Sequence, residues 1–88
     1  MSLDCEPVAI PSLIPVQVIT EAGWPVAFWE GSRRSTVLGL VRSWQAQAPV
    51  AGESGWCVFY EVRVRDRGIL RLLLAVQSGS WYLEERAA

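Results

Sequence analysis

Residues 55–85 read GWCVFYEVRVRDRGILRLLLAVQSGSWYLEE, and no other stretch limits the fold as strongly. Two long runs of β-type residues meet at Asp66-Arg67-Gly68. The second run turns again at Ser78-Gly79-Ser80 into Trp81-Tyr82-Leu83. On a pleated strand Trp56, Val58, Tyr60, Val62 and Val64 share one side, and Cys57, Phe59, Glu61, Arg63 and Arg65 share the other. The first set is apolar throughout and is assigned to the core. The second becomes charged along its length, so its later half is expected to meet water. In the next run Leu70, Leu72, Leu74 and Val76 form an apolar face, and Ile69, Arg71, Leu73, Ala75 and Gln77 a mixed one. Arg71 is placed to meet Glu61 or Arg63 across the hairpin. Three strands follow from period-two alternation and turn chemistry alone.

The upstream half continues the pattern. Val16-Gln17-Val18-Ile19-Thr20 is β-branched and predicts a first strand. Glu21-Ala22-Gly23 is turn material. Residues 24–30 predict a second strand, with Pro25 confined to its start or to an edge. Gly31-Ser32 is a Gly-X pair of the type II′ hairpin kind. Residues 33–44 predict a long third strand that Gly39 bends or bulges. A helix is the alternative there, since Val37, Leu40, Val41 and Trp44 also fall at helical spacing, but the β-branching and Gly39 favour a strand. Gln45 to Ser54 predicts one long loop, and residues 81–85 close the sheet. Before all of this, Pro7, Pro11 and Pro15 punctuate an extended arm over residues 1–15, a candidate tether, ahead of a domain at 16–86. The expected fold is all-β. It is a single small antiparallel meander of about six strands, curled into an open barrel or half-barrel so that apolar residues on both faces find cover.

Composition narrows function mainly by exclusion. At 88 residues the chain makes one domain with a thin core, and its 51% hydrophobic content is ample for folding. The absence of histidine excludes a Ser-His or Cys-His nucleophile pair, and two scattered cysteines make no zinc set. Neither a catalytic residue nor a cofactor or metal site is expected, and the chain is not expected to be an enzyme. The apolar runs are too short to span a bilayer. Asp4 and Glu6 stand near the start, and no basic residue precedes Arg33, which argues against a secretory signal. A cytoplasmic location is expected, with no membrane partner. Net charge is −1, so nothing global steers the chain toward nucleic acid.

Five tryptophans and an all-arginine basic set are the remaining signals. In so thin a barrel tryptophan is first of all core filling that reaches the surface. The functional reading takes Trp24, Trp29, Arg33, Arg34 and Trp44 as a partner-binding surface. Aromatics interleaved with arginine stack bases and meet phosphates on single-stranded nucleic acid, and the same residue types dominate protein interfaces. A protein partner or a second copy of the chain is the first expectation, single-stranded nucleic acid the alternative. Arg63, Arg65, Arg67 and Arg71 form a secondary candidate surface.

The motif Gly23-x-Pro25-x-x-Phe28-x-x-Gly31, followed by Arg33 or Arg34, Val37, Val41 and Trp44, then Tyr60-x-Val62-x-Val64, Gly68 and Ser78-Gly79-x-Trp81-x-Leu83, resembles a small uncharacterised bacterial domain. That domain of unknown function stands alone, or near or fused to polymerase-like proteins of DNA damage tolerance. The resemblance implies a binding or adaptor role associated with DNA repair, and it carries over no catalytic residue. The chain departs from the pattern where the family's Gly-Arg becomes Gly31-Ser32-Arg33-Arg34 and where Ser35 replaces an aromatic. It departs again where Gln45 to Ser54 replaces a Trp-rich, Arg-bearing segment. Contacts made by that segment would be missing here.

Overall fold

Turn chemistry sets the order of the strands. Strand β1 (Ser12–Glu21) passes to β2 (Trp24–Glu30) through Ala22-Gly23, both at positive φ (52° and 84°), as a type I′ turn requires. Strand β2 passes to β3 (Arg33–Gln47) through Gly31-Ser32, where only Gly31 has positive φ (60°), the type II′ signature. Strand β4 (Trp56–Val64) turns into β5 (Gly68–Ala75) with the Arg67 N–H donating to the Val64 carbonyl at 3.1 Å and Asp66 at φ 65°. Strand β5 reaches β6 (Ser80–Glu85) through a turn in which the Gly79 N–H donates to the Ala75 carbonyl at 2.8 Å. The structure, a computed structural model, describes residues 12–47, 52 and 55–85. All six strands are antiparallel to their neighbours, and no helix occurs among the described residues.

The strands form a closed ring, β1-β2-β3-β4-β5-β6 and back to β1. Closure depends on two strands that change partner. The first half of β1 pairs with β6, from Ser12–Glu85 to Val16–Trp81, and its second half pairs with β2. The start of β3 pairs with β2 only from Glu30–Arg33 to Ala27–Thr36, and the rest of β3 pairs with β4. The bend expected at Gly39 is present as two bulges, which leave Leu38 and Val41 without a partner on β4. Each bulge reverses the in-out alternation, which is how one strand lines two differently oriented half-sheets.

The interior is filled by Phe28, Tyr60, Val62, Val64, Leu72 and Leu83, with Ile14, Val16, Val18, Val37, Val58, Leu70, Leu74 and Trp81 packed around them. Phe28, Val62 and Leu72 are completely buried, each contributing about 1.5–3 kcal/mol. The inward faces assigned to residues 58–64 and 70–74 are correct. Trp56 and Val76, assigned to the same faces, are instead 53% and 51% exposed. They sit at a strand end, tied by the Val76 N–H to the Trp56 carbonyl, at a mouth of the barrel where alternation no longer guarantees cover. A second, smaller cluster lies on the outer side of the same strands, where Cys57 and Leu73 are buried among Leu13, Phe59 and Tyr82.

Two boundaries differ from expectation. Residues 12–15, expected in the arm, belong to β1. Pro15 is tolerated there because it is exposed and stands next to the point where β1 leaves β6 for β2. Gln45-Ala46-Gln47, expected in the loop, extends β3 by pairing with Val58, Cys57 and Trp56. The remainder of the arm (residues 1–11, including Cys5) and residues 48–51, 53 and 54 of the expected loop lie outside the described residues.

One end of the barrel is capped by an arginine. Arg67 Nη1 donates to Glu30 Oε1 at 2.6 Å and to Ser35 Oγ at 3.1 Å. Its guanidinium carbon lies 6.0 Å from the centroid of the Phe28 ring at the core's end.

Candidate functional site

The two-residue Gly31-Ser32 turn fixes the register of β2 on β3 and so decides which aromatic meets which arginine. Trp29 stands directly opposite Arg34, so the two share a face. Phe28 and Ser35, one step along on each strand, are buried inside. Trp29 and Arg34 therefore project outward, side by side. Arg34 Nη1 donates to Thr36 Oγ1 at 3.2 Å, and the Thr36 carbonyl accepts the Arg65 N–H at 3.0 Å. Arg63 lies opposite Gly39 on the outer side of β4, and Arg65 follows in the turn after it. A Cβ built on Gly39 would meet nothing within 4 Å, so the space beside Arg63 on β3 is open.

The chain sorts its charges. Arg42, Arg67 and Arg71 hold the carboxylates of Glu61, Glu30 and Glu84. Arg33, Arg34, Arg63 and Arg65 are exposed and make no ion pair with described residues. These four stand around one end of the barrel, so a chain of net charge −1 presents a locally positive surface there. Beside it, an open groove of about 320 Å³ runs between Pro15-Val16-Gln17 and Trp29-Gly31. It arises where β1 parts from β6 to join β2, and a wider groove of about 530 Å³ continues past Pro15 toward Trp81 and Tyr82. Trp29 thus lines the groove and stands opposite Arg34 on the neighbouring strand.

Of the remaining candidates, Arg33 stays at this end, while Trp24 and Trp44 lie elsewhere. Arg33 opposes Glu30 at the hairpin end. Trp24 meets Tyr60 edge-on, with ring centroids 6.2 Å apart, and is not joined to the Trp29–Arg34 pair. Trp44 lies on the outer side of the far half of β3, stacked on its cross-strand partner Phe59 at 5.1 Å with planes 4° apart. The guanidinium carbons of Arg42 and Arg71 lie 4.5 and 5.3 Å from the Trp44 ring centroid. Trp44 is therefore served by Arg42 and Arg71, not by Arg33 or Arg34. The same guanidiniums clamp Glu61, Arg42 Nε at 2.7 Å and Arg71 Nη2 at 2.9 Å, and Arg71 Nη1 reaches Glu84 at 3.1 Å. These hydrogen bonds, Arg42's first and Arg71's second, hold the Glu61 carboxyl down at about 2, and the bond to Glu61 raises Arg42 in turn. Four alternating charges thus cross four strands as a fixed ladder.

Burial pushes both the Cys57 thiol and the Tyr60 phenol up, away from the reactive anion. The Cys57 thiol donates to the Ala46 carbonyl at 3.5 Å. Among the described residues no group of three or more metal-binding side chains is placed to hold an ion, and no helix is long and apolar enough to cross a membrane.

Arg63 and Arg65 were visible in the sequence only as a secondary surface. Thr36, which draws Arg34 and Arg65 together, carried no signal at all. No family model, curated protein or solved structure matches the chain.

Proposed function

We propose that this protein is a non-enzymatic binding module whose surface around Trp29 takes a single strand of nucleic acid. The observation that carries the reading is the Trp29–Arg34 cross-strand pair, with Arg65 tied to the same Thr36 and Arg63 beside it. A base seated in the groove at Pro15–Gln17 would stack on Trp29, while the exposed guanidiniums meet successive phosphates. That they have no carboxylate partner among the described residues matters, because no such ion pair need break for them to bind. The resemblance to a domain found beside polymerase-like damage tolerance proteins points to the same chemistry, in the cytoplasm, as part of DNA repair.

Anisotropy of a labelled oligothymidine at low salt tests the reading. With Arg33, Arg34, Arg63 and Arg65 each meeting a phosphate, log K should fall against log salt with a slope of about −2 to −3, from roughly 0.7 per phosphate on a single strand. Arg34→Ala should lower that slope by about 0.7, and Trp29→Ala should weaken binding by about 1–3 kcal/mol. Trp24→Ala should leave binding unchanged. An absence of binding with protein at about 100 μM, the weak end of non-specific affinity, removes the nucleic-acid reading. Binding of an acidic peptide in its place would reassign the surface to a protein partner.

A further inference from the structure

The ring closes unevenly. Strand β2 accompanies β3 only as far as Ala27–Thr36. Beyond that point, residues 38–47 of β3 pair with β4 on one side and with no described strand on the other. An antiparallel strand with one partner leaves every second residue's N–H and C=O pointing into the vacant side. Natural barrels and sheets blunt such edges with proline, lysine or bulges. The opposing edge of β2 carries Pro25, which has no N–H to offer. On β3 the bulges disturb only Leu38 to Val41, and from Arg42 to Gln47 the strand is regular and no described residue pairs with its free edge.

We propose that this edge of β3 is where a second copy of the chain docks, strand against strand, in a twofold dimer. Charge favours this occupant. Between residues 38 and 47 the only charged side chain is Arg42, and it is already matched by Glu61 at 2.7 Å. A charged partner finds nothing to hold there, whereas a second β3 approaches without like-charge repulsion. Symmetry favours it too. An antiparallel pairing of a strand with its own copy is closed by a twofold axis, so both vacant ladders are satisfied in one contact. Centred on Gln45, the pairing sets Gln45 against Gln45 and the bulky Trp44 of each copy beside the small Ala46 of the other. Ser43 then stands against Gln47 of the other copy, so the new ladder spans residues 43–47 of both strands. The pairing is independent of the arginine surface, which lies across the β2–β3 hairpin.

Sedimentation equilibrium from low micromolar to near-millimolar protein, without oligonucleotide, tests the proposal. The wild type should be a dimer. Ser43→Lys with Gln45→Lys, at two exposed positions, should weaken it by about tenfold or more, because like charges would face each other across the new ladder. Amide exchange of residues 42–47 in the wild type should slow as concentration rises, a measurement that depends on no substitution. A wild type that stays monomeric throughout, with edge amides exchanging at a rate independent of concentration, overturns the proposal and leaves the edge to a foreign strand. A dimer that persists unweakened in the double-lysine variant overturns it as well, by placing the interface elsewhere.

Discussion

Replacing Arg67 with methionine should destabilise the barrel by about 2–3 kcal/mol, although the residue lies in a turn. Two losses make up the figure. The Arg67–Glu30 pair has side chains only 20% and 17% exposed. Its loss should fall between the 3–5 kcal/mol for breaking a fully buried pair and the 0.2–1 kcal/mol of a surface one, so about 1.5 kcal/mol is expected. Ser35, the buried polar residue of the interior, loses its guanidinium partner, which adds about 1 kcal/mol. Methionine retains the apolar stem over Phe28, so packing is largely held constant. Urea unfolding followed by tryptophan fluorescence measures the total. A cycle with Glu30→Gln isolates the ion pair, for which a coupling of about 1–2 kcal/mol is expected. Coupling below about 0.3 kcal/mol, with Arg67→Met as stable as wild type, would refute the claim that a capped mouth holds this ring together.

Two further outcomes concern local structure. Ala22 occupies a left-handed position (φ 52°) that a type I′ turn normally gives to asparagine or glycine, so Ala22→Asn should stabilise the protein by about 0.5–1 kcal/mol in the same unfolding assay. The Glu61 carboxyl, held at about 2 against an unfolded value of 4.5, contributes stability that is fully present above 4.5 and is lost as pH falls toward 2. Glu61→Gln should therefore flatten the decline of stability across that window. An unchanged acid limb in thermal melts at stepped pH would show that the Arg42–Glu61–Arg71 clamp does not distinguish folded from unfolded protein.

Local information made the fold readable and left the site half hidden. Turn residues with a defined chemistry, such as Gly31-Ser32, and unbroken alternation from Val58 to Val64 gave the strands and their inward faces without reference to partners. Closure of the ring was not readable, because the β1–β6 pairing joins the most distant parts of the chain and depends on no motif. Beyond Leu38 two bulges invert the alternation of β3, so faces counted from Arg33 are reversed or restored by residues that no pattern marks. Proximity in sequence also misled. Trp44 follows Arg42 closely, yet its second guanidinium is that of Arg71, from β5. Trp29 is paired with Arg34 by a turn, whereas Arg65 joins them through a backbone bond to Thr36. Register, not composition, assembled that surface.

The seam between β1 and β6 bears on how the chain reaches its fold. The pairs from Ser12–Glu85 to Val16–Trp81 carry the largest sequence separation among the described ladders, so the loop entropy of closing them is met only after every other hairpin can form. Each of the other ladders joins consecutive strands. A growing chain can thus assemble five strands in succession and still hold an unclosed sheet until β6 emerges. Because the seam sets the first and last strands side by side, a short linker across it would make the ring continuous. New ends could then be opened at the Ala22-Gly23 turn, yielding a permuted barrel in which the former seam becomes one more hairpin.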